Sequence, residues 1–238
     1  METTPTYIAG TFITIVLALI GFIYYAVNAA SNSKKDLTPA ITLALLFSWI
    51  FVICTLTFND FFQDFSMPPR LFIFVGLTII SIVVLFAAPK SRAFLNKMPI
   101  TTLTYLHIIR VPVEIVLWWL AISGLIPLDL TFEGSNLDII SGISAPFAAV
   151  FMVSGKSINR IGAIIWNVLA IGLLFNIVLR AISYTPYFYE QVAGGEVANN
   201  AMFHFPYVLL PTFVVPVVLF SHLVCLYQLF FKKDQSQY

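Results

Sequence analysis

Three ionisable side chains interrupt a long apolar stretch near the middle of the 238-residue chain: His107, Arg110 and Glu114, in LTYLHIIRVPVEIVLWWL. At roughly 100° per residue they fall within about 60° of one another on a helix. The polar stripe they form is continued by Trp118 and ends near His107, beyond which Leu103 is apolar. Imidazole, guanidinium and carboxylate on one stripe can hold an anion, pass a proton or pair internally. Arg110 and Glu114, four residues apart, can pair within the helix, although Arg preceding Glu is the weaker orientation. Pro112 lies between them and removes one backbone hydrogen bond. A kink there would free the Ile108 carbonyl to join a polar site. His107 and Glu114 alone do not make a metal centre, which needs three or more converging ligands. The competing reading is that the three side chains simply lock helices together by hydrogen bonds.

Further candidates lie downstream. In LDLTFEGSNLDIISGISAP (128–146), Glu133, Asn136 and Asp138 precede the next apolar run. Asn136 or Asp138 suits a helix N-cap; the sharper reading is an outer mouth for a cation or substrate. Asp129, Thr131, Glu133 and Gly134 occupy four positions of a calcium loop, but Ile140 stands where the bidentate Glu belongs, so the motif fails. Ser141, Gly142, Ser144 and Ala145 are small and allow close helix approach. This predicts that their helix sits centrally, beside the one carrying Arg110. Ser144 as a nucleophile with His204 or His222 as base is the enzymatic reading, but Gly142-Ile143-Ser144-Ala145 lacks the rhomboid-type Gly-x-Ser-Gly. Asn176 and Arg180 lie one turn apart. Arg180 can snorkel to headgroups or pair with Glu114 or with the acidic loop. His204 opens the last apolar run, and His222 lies deep within it at a depth similar to that of His107.

The elements that position these groups follow from composition. Apolar residues make up 60% of the chain and charged ones 10%, against ~45–50% and ~25% in a soluble domain. Mean hydropathy is +0.94. A soluble enzyme, a nucleic-acid binder and a disulfide scaffold are thereby excluded, and an all-α integral membrane bundle remains. A membrane helix needs roughly 17–25 apolar residues. Seven runs qualify, at about 8–28, 39–58, 71–88, 101–125, 138–154, 161–183 and 205–231, forming one transmembrane domain over 1–238. The fifth is the shortest. The seventh, with Pro206, Pro211 and Pro216, is the least regular and the best candidate for a moving element. Arg110 then lies roughly 14 Å inside the bilayer, near its middle.

Short cytoplasmic loops retain positive charge. Lys34, Lys35, Lys90, Arg92, Lys97, Lys156, Arg160, Lys232 and Lys233 fall on one side of the seven runs. Glu2, Asp60, Asp64, Asp129, Glu133, Asp138, Glu190 and Glu196 fall on the other, with Arg70 as the lone basic residue there. This predicts a multi-pass protein of the plasma (inner) membrane, with its N-terminus outside and its C-terminus cytoplasmic. Its start lacks the basic region of a signal peptide, and no lipidation motif is visible. The longest connection, roughly 184–204, lies outside, with Tyr184, Tyr187 and Tyr189 at interface depth and Gly194–Gly195 for flexibility. Cys54 and Cys225 fall near opposite faces, too far apart for a disulfide.

No cofactor is identified. A retinal Schiff base on the seventh helix is excluded, because 205–231 contains no lysine. The Asp-Arg-Tyr and Asn-Pro-x-x-Tyr patterns of rhodopsin-like receptors are lacking, and the three histidines do not match the zinc site of progestin-receptor or alkaline-ceramidase-type hydrolases. The functional expectation is binding of a small polar ligand or ion between the fourth to seventh spans, serving transport or sensing, with no nucleic-acid partner. The candidates are His107, Arg110, Glu114, Asn176, Arg180, Glu133 and Asp138, with His204 and His222 secondary. The alternatives are an intramembrane enzyme acting on a lipid or isoprenoid, using His107, His222 and a carboxylate with or without a metal, and a structural subunit of a membrane complex.

Overall fold

The structure, a computed structural model, describes residues 5–31, 33, 35–154, 158–188 and 198–231, and it is all helical over these. Six helices are long and apolar enough to cross a membrane: Thr6–Ala30 (α1), Thr38–Phe58 (α2), Arg70–Ala87 (α3), the broken helix Ile100–Ile122, Arg160–Ser183 (α8) and Leu210–Phe231. A short helix, Pro89–Leu95 (α4), follows α3. Lys34, Lys156, Lys232 and Lys233, together with Glu2, Tyr189, Glu190, Gly194, Gly195 and Glu196, lie outside the described residues.

The fifth expected span is the exception. Asp138–Val153 is apolar but shorter than the other six. At 1.5 Å per residue it reaches about 24 Å, short of the ~30 Å hydrocarbon core. It consists of an α-helix, Asp138–Ala148 (α7), with Pro146 inside it, and a π-helical turn, Ala149–Val153. A proline lacks the N–H that the turn before it needs, and the ladder is rearranged just beyond.

The same physics breaks the fourth span. Ile100–Leu106 (α5) and Arg110–Ile122 (α6) are joined by a 3₁₀ turn, His107–Ile109. The ring of Pro112 clashes with the carbonyl four residues earlier, which belongs to Ile108 within that turn. Three residues make one 3₁₀ turn, so His107 and Arg110 come onto one face. The last span opens with a π-helical turn, Leu210–Val214, at Pro211 and continues as Val215–Phe231 (α9). Its helix begins five residues later than 205–231 anticipates.

The buried stripe of α1, Ile8, Phe12, Ile15, Leu19, Ile23 and Ala26, recurs at helical spacing and packs on α2, α5 and α6. The segment carrying Ser141 and Gly142 does sit centrally: α7 packs against α5, α6 and α8, and α9 against α5 and α8. Gly142 is there by necessity. A Cβ on it would come within 2.8 Å of Val111 Cγ2 and 2.9 Å of the Val111 nitrogen. By contrast, α2 and α3 are peripheral, with only 11% of each apolar stretch buried.

Candidate functional site: a buried polar core

Arg110, the first residue of α6, is 2% exposed and organises the site. Its Nε donates to Asp138 Oδ2 at 2.6 Å. Its Nη2 closes a second bond to Asp138 Oδ1 and also donates to the Ala170 carbonyl of α8 at 3.1 Å. Its Nη1 lies 3.3 Å from His222 Nε2 on α9. Four of its five N–H donors are thus engaged, joining α6, α7, α8 and α9. The fork on Asp138 is a bidentate pair, the strongest geometry an arginine makes with a carboxylate.

The Arg110–Glu114 pair that the spacing permits is therefore not formed. Asp138 takes the guanidinium because it stands on a neighbouring helix end, where both carboxylate oxygens can face the fork. Glu114, one turn further along α6, turns instead to Asn136, whose Nδ2 donates to Glu114 Oε1 at 2.6 Å and to the Leu130 carbonyl at 3.1 Å. Asn136 Oδ1 accepts the Asp138 backbone N–H at 3.0 Å. Asn136 thus does a capping residue's work at the start of α7, while Asp138, the first helical residue, spends its side chain on Arg110.

The two histidines meet as their matched depth suggests. His107 and His222 are fully buried and stacked, with centroids 3.6 Å apart and planes 16° apart. Trp166 packs against both, at 5.5 and 5.6 Å. His222 Nδ1 lies 2.8 Å from Asn167 Oδ1, and the Asn167 amide nitrogen donates to the Ala163 carbonyl, which fixes the flip. An arginine can only donate, so His222 Nε2 is the acceptor and Nδ1 carries the proton to Asn167. Lone pairs lie in the ring plane, so parallel stacked imidazoles do not converge on one metal ion. Among the described residues there is no group of three or more His, Cys, Asp or Glu that could hold one.

Of the eight buried side-chain polar atoms without a hydrogen-bond partner among the described residues, four lie in this core, Glu114 Oε2, Ser141 Oγ and both ring nitrogens of His107; the others belong to Asn96, Trp118, Asn199 and Tyr207. Those four belong to residues within about a turn of Arg110 or Asp138. Glue alone predicts a satisfied network. In this one four of the five Arg110 donors are engaged, whereas Glu114 Oε2 and the His107 ring nitrogens have no partner among the described residues. An apolar groove of about 470 Å³ runs along the α6–α7 crossing, between Ile108, Pro112, Gly142 and Pro146.

From the core, polar contacts continue toward one end of the bundle. Ser135, next to Asn136, accepts from Asn176 Nδ2 through its carbonyl at 3.1 Å. Asn176 Oδ1 accepts from Arg180 Nε at 3.2 Å, and Arg180 Nη1 pairs with Asp129 at 2.7 Å. Arg180 therefore joins the acidic loop and not Glu114. Burial opposes the Asp129 charge, but hydrogen bonds from Ser135 and Arg180 outweigh it and hold the carboxyl below its usual range. Glu133 is exposed and apart from the cluster. His204 is half-buried and also apart; burial holds its imidazole below the usual value, against the nearby charge of Asp60.

At the opposite end, side chains bond to backbone and tie helices together. Ser221 Oγ donates to the Leu103 carbonyl, and Gln228 Nε2 to the Leu95 and Met98 carbonyls. Cys225 is buried beside Thr104, and neither cysteine is bridged. Ser144 donates to the Ser141 carbonyl and accepts from Trp166. Trp166 thereby stands between Ser144 and the histidines, contrary to the serine-nucleophile arrangement.

Asn167 and Trp166 are the members that the sequence reading misses. Their signal is present, since an amide in the apolar run IIWNVLAIG needs a partner wherever it is buried. No curated protein and no solved structure matches the chain. Residues 67–230, well over half its length and inclusive of every member of the core, match the family described as Domain of unknown function (DUF8737), and the chain belongs to that family.

Proposed function

We propose that the protein is a seven-span protein of the plasma (inner) membrane that binds a proton or small cation in its buried polar core, for transport or sensing. The observation that carries this is a charge count. Two buried carboxyl groups, Asp138 and Glu114, share one guanidinium, and only Asp138 touches it. An unpaired carboxylate in a membrane interior is costly and marks ion and proton paths by default. Glu114 Oε2 has no protein partner among the described residues and is the group that would take the ion. Arg110 is then not the ligand-binding charge but the fixture that orients Asp138 and His222.

The seven spans count Asp138–Val153 as a crossing, supported by its central packing beside the longer helices. The N-terminus-outside orientation is supported by charge. Arg92, Lys97 and Arg160 lie at one end of the bundle and Asp64, Asp129 and Glu133 at the other. In that frame the polar contacts from Glu114 through Asn136, Asn176 and Arg180 lead outward. The inner half is closed by the Ser221 and Gln228 bonds. The π-helical turn at Leu210–Val214 makes the last span the element that would move, with the Trp49 Nε1 bond to the Thr212 carbonyl (3.0 Å) as its latch.

The test uses purified protein in vesicles holding a pH-sensitive dye, under an imposed proton, sodium or potassium gradient. Transport predicts dissipation faster than in empty vesicles, slowed by Glu114→Gln. Sensing predicts no flux but an ion-dependent thermal midpoint that Glu114→Gln abolishes. If neither appears, the core is internal glue and the proposal fails.

A further inference from the structure

A second cavity lies away from the polar core. It measures about 880 Å³, and its walls come from α1, α2, α3, α4, the π-helical start of the last span and the first turns of α9. That volume is within the roughly 300–1,000 Å³ of sites that take drug-sized molecules. The interior is mostly apolar, with Leu45, Trp49, Ile82 and Phe220 among its walls beside the hydroxyls of Thr42, Thr78 and Ser81, and Lys90 and Ser91 lie at one end. Lys90 is exposed and makes no ion pair among the described residues. From Thr78 to the end of α3 at Ala87 is about 14 Å along the helix, and Lys90 follows at the start of α4, so the cleft is long enough for much of an acyl chain. The two outer walls, α2 and α3, are the least buried of the six long apolar helices.

We propose that this cavity holds an acyl chain of an anionic phospholipid, with the phosphate at Lys90. Charge complementarity selects this occupant. A lysine at the rim of a mostly apolar cleft, just beyond the end of a membrane helix, lies at headgroup depth and attracts an anionic lipid, whereas a neighbouring apolar helix would leave the ammonium unpaired. The sparsely buried α2 and α3 let the lipid enter sideways from the bilayer. The site is independent of the polar core, and its failure would leave the Glu114 proposal intact.

Trp49, in the cavity wall, is a built-in reporter. The full-length protein is reconstituted with phosphatidylglycerol or phosphatidylcholine brominated on the same acyl positions. The quenching of Trp49 is isolated by subtracting the Trp49→Phe variant. Saturable quenching with an approximately fivefold preference for the anionic lipid is expected, the size of one lysine's attraction at an anionic surface. Lys90→Glu should remove the preference, and filling the cavity with Ser81→Phe should remove the saturable component for both lipids. Equal, non-saturable quenching by the two lipids would overturn the proposal. So would a dimer by native mass spectrometry in which Trp49 is shielded from both, because a second copy would then occupy the cleft.

Discussion

The two flanks of this bundle are held together by different physics. Around α6, α7, α8 and α9, helices are joined by a bidentate ion pair, side-chain amides, a histidine stack and a glycine in backbone contact. Half of the apolar stretch of 100–122 is buried there, against 11% in α2 and in α3. Among the described residues the α2–α3 flank is tied to the last span by one side-chain hydrogen bond, Trp49 to Thr212; further polar contacts, such as Arg70 with Asp64 and the Phe61 carbonyl, sit at the loop between the two helices, and its body is aromatic and aliphatic packing such as Trp49 on Phe74. Polar bonds in hydrocarbon fix position and register, whereas apolar contacts compete with lipid tails that are just as apolar. One flank is therefore built to hold a geometry and the other to leave room.

The sharpest way to break the contrast is Arg110→Ala. It strands Asp138 as a buried charge and should cost about 3–5 kcal/mol, read as denaturant stability in detergent. Arg110→Met with Asp138→Leu, which removes both charges, should recover most of that loss. If the single variant is as stable as the wild type, the pair does not hold this flank.

Gly142→Ala comes next. Its Cβ would meet the Val111 backbone nitrogen, so about 1–3 kcal/mol of overpacking is expected, measured the same way. The same change at Gly76 on α3, where nothing lies within reach of a Cβ, should show no such overpacking cost.

Asp129→Asn tests the rim of the polar side. Its ion pair with Arg180 is partly solvated, so only about 0.2–1 kcal/mol is at stake. Because the native carboxyl titrates below its ordinary value, the stabilisation is present above the unfolded-state value. It is lost as the pH falls through the native one. The difference between wild type and variant should shrink over that acid range; a constant difference would remove the ion pair as its cause.

The smallest effect is expected at Val83, on the exposed face of α3. Val83→Ala should shift stability by less than about 0.5 kcal/mol. A larger loss would mean that this flank is covered by something that packs against it.

The sequence foretells these regions unequally, for physical reasons. Apolar runs locate the six long helices to within a few residues, except the last, because a bilayer demands length and composition together. Pro112 announces the break at His107–Ile109, since its effect on the preceding turn is local. Glycine and serine at 141–144 announce the central position of α7. The choice of Asp138 over Glu114 by Arg110 is not local. It depends on how far α7 approaches α6, which the chain settles only on packing. Asn167 is hidden because its partner, His222, is 55 residues away. The cavity between α2 and α3 is hard to read from sequence, because its only polar markers are isolated hydroxyls such as Thr42, Thr78 and Ser81, and neither helix carries a charged face to point away from lipid.

On the proposed function, Glu114 is the group of the core that takes up an ion. The thermal midpoint of purified protein, followed against pH and against sodium and potassium concentration, tests it in wild type and Glu114→Gln side by side. Binding to the folded state raises the midpoint with ion concentration, so the wild type should respond to at least one of these ions and Glu114→Gln should not. Parallel responses in the two proteins, or none in either, would contradict an ion site at Glu114 and leave the core as a structural lock.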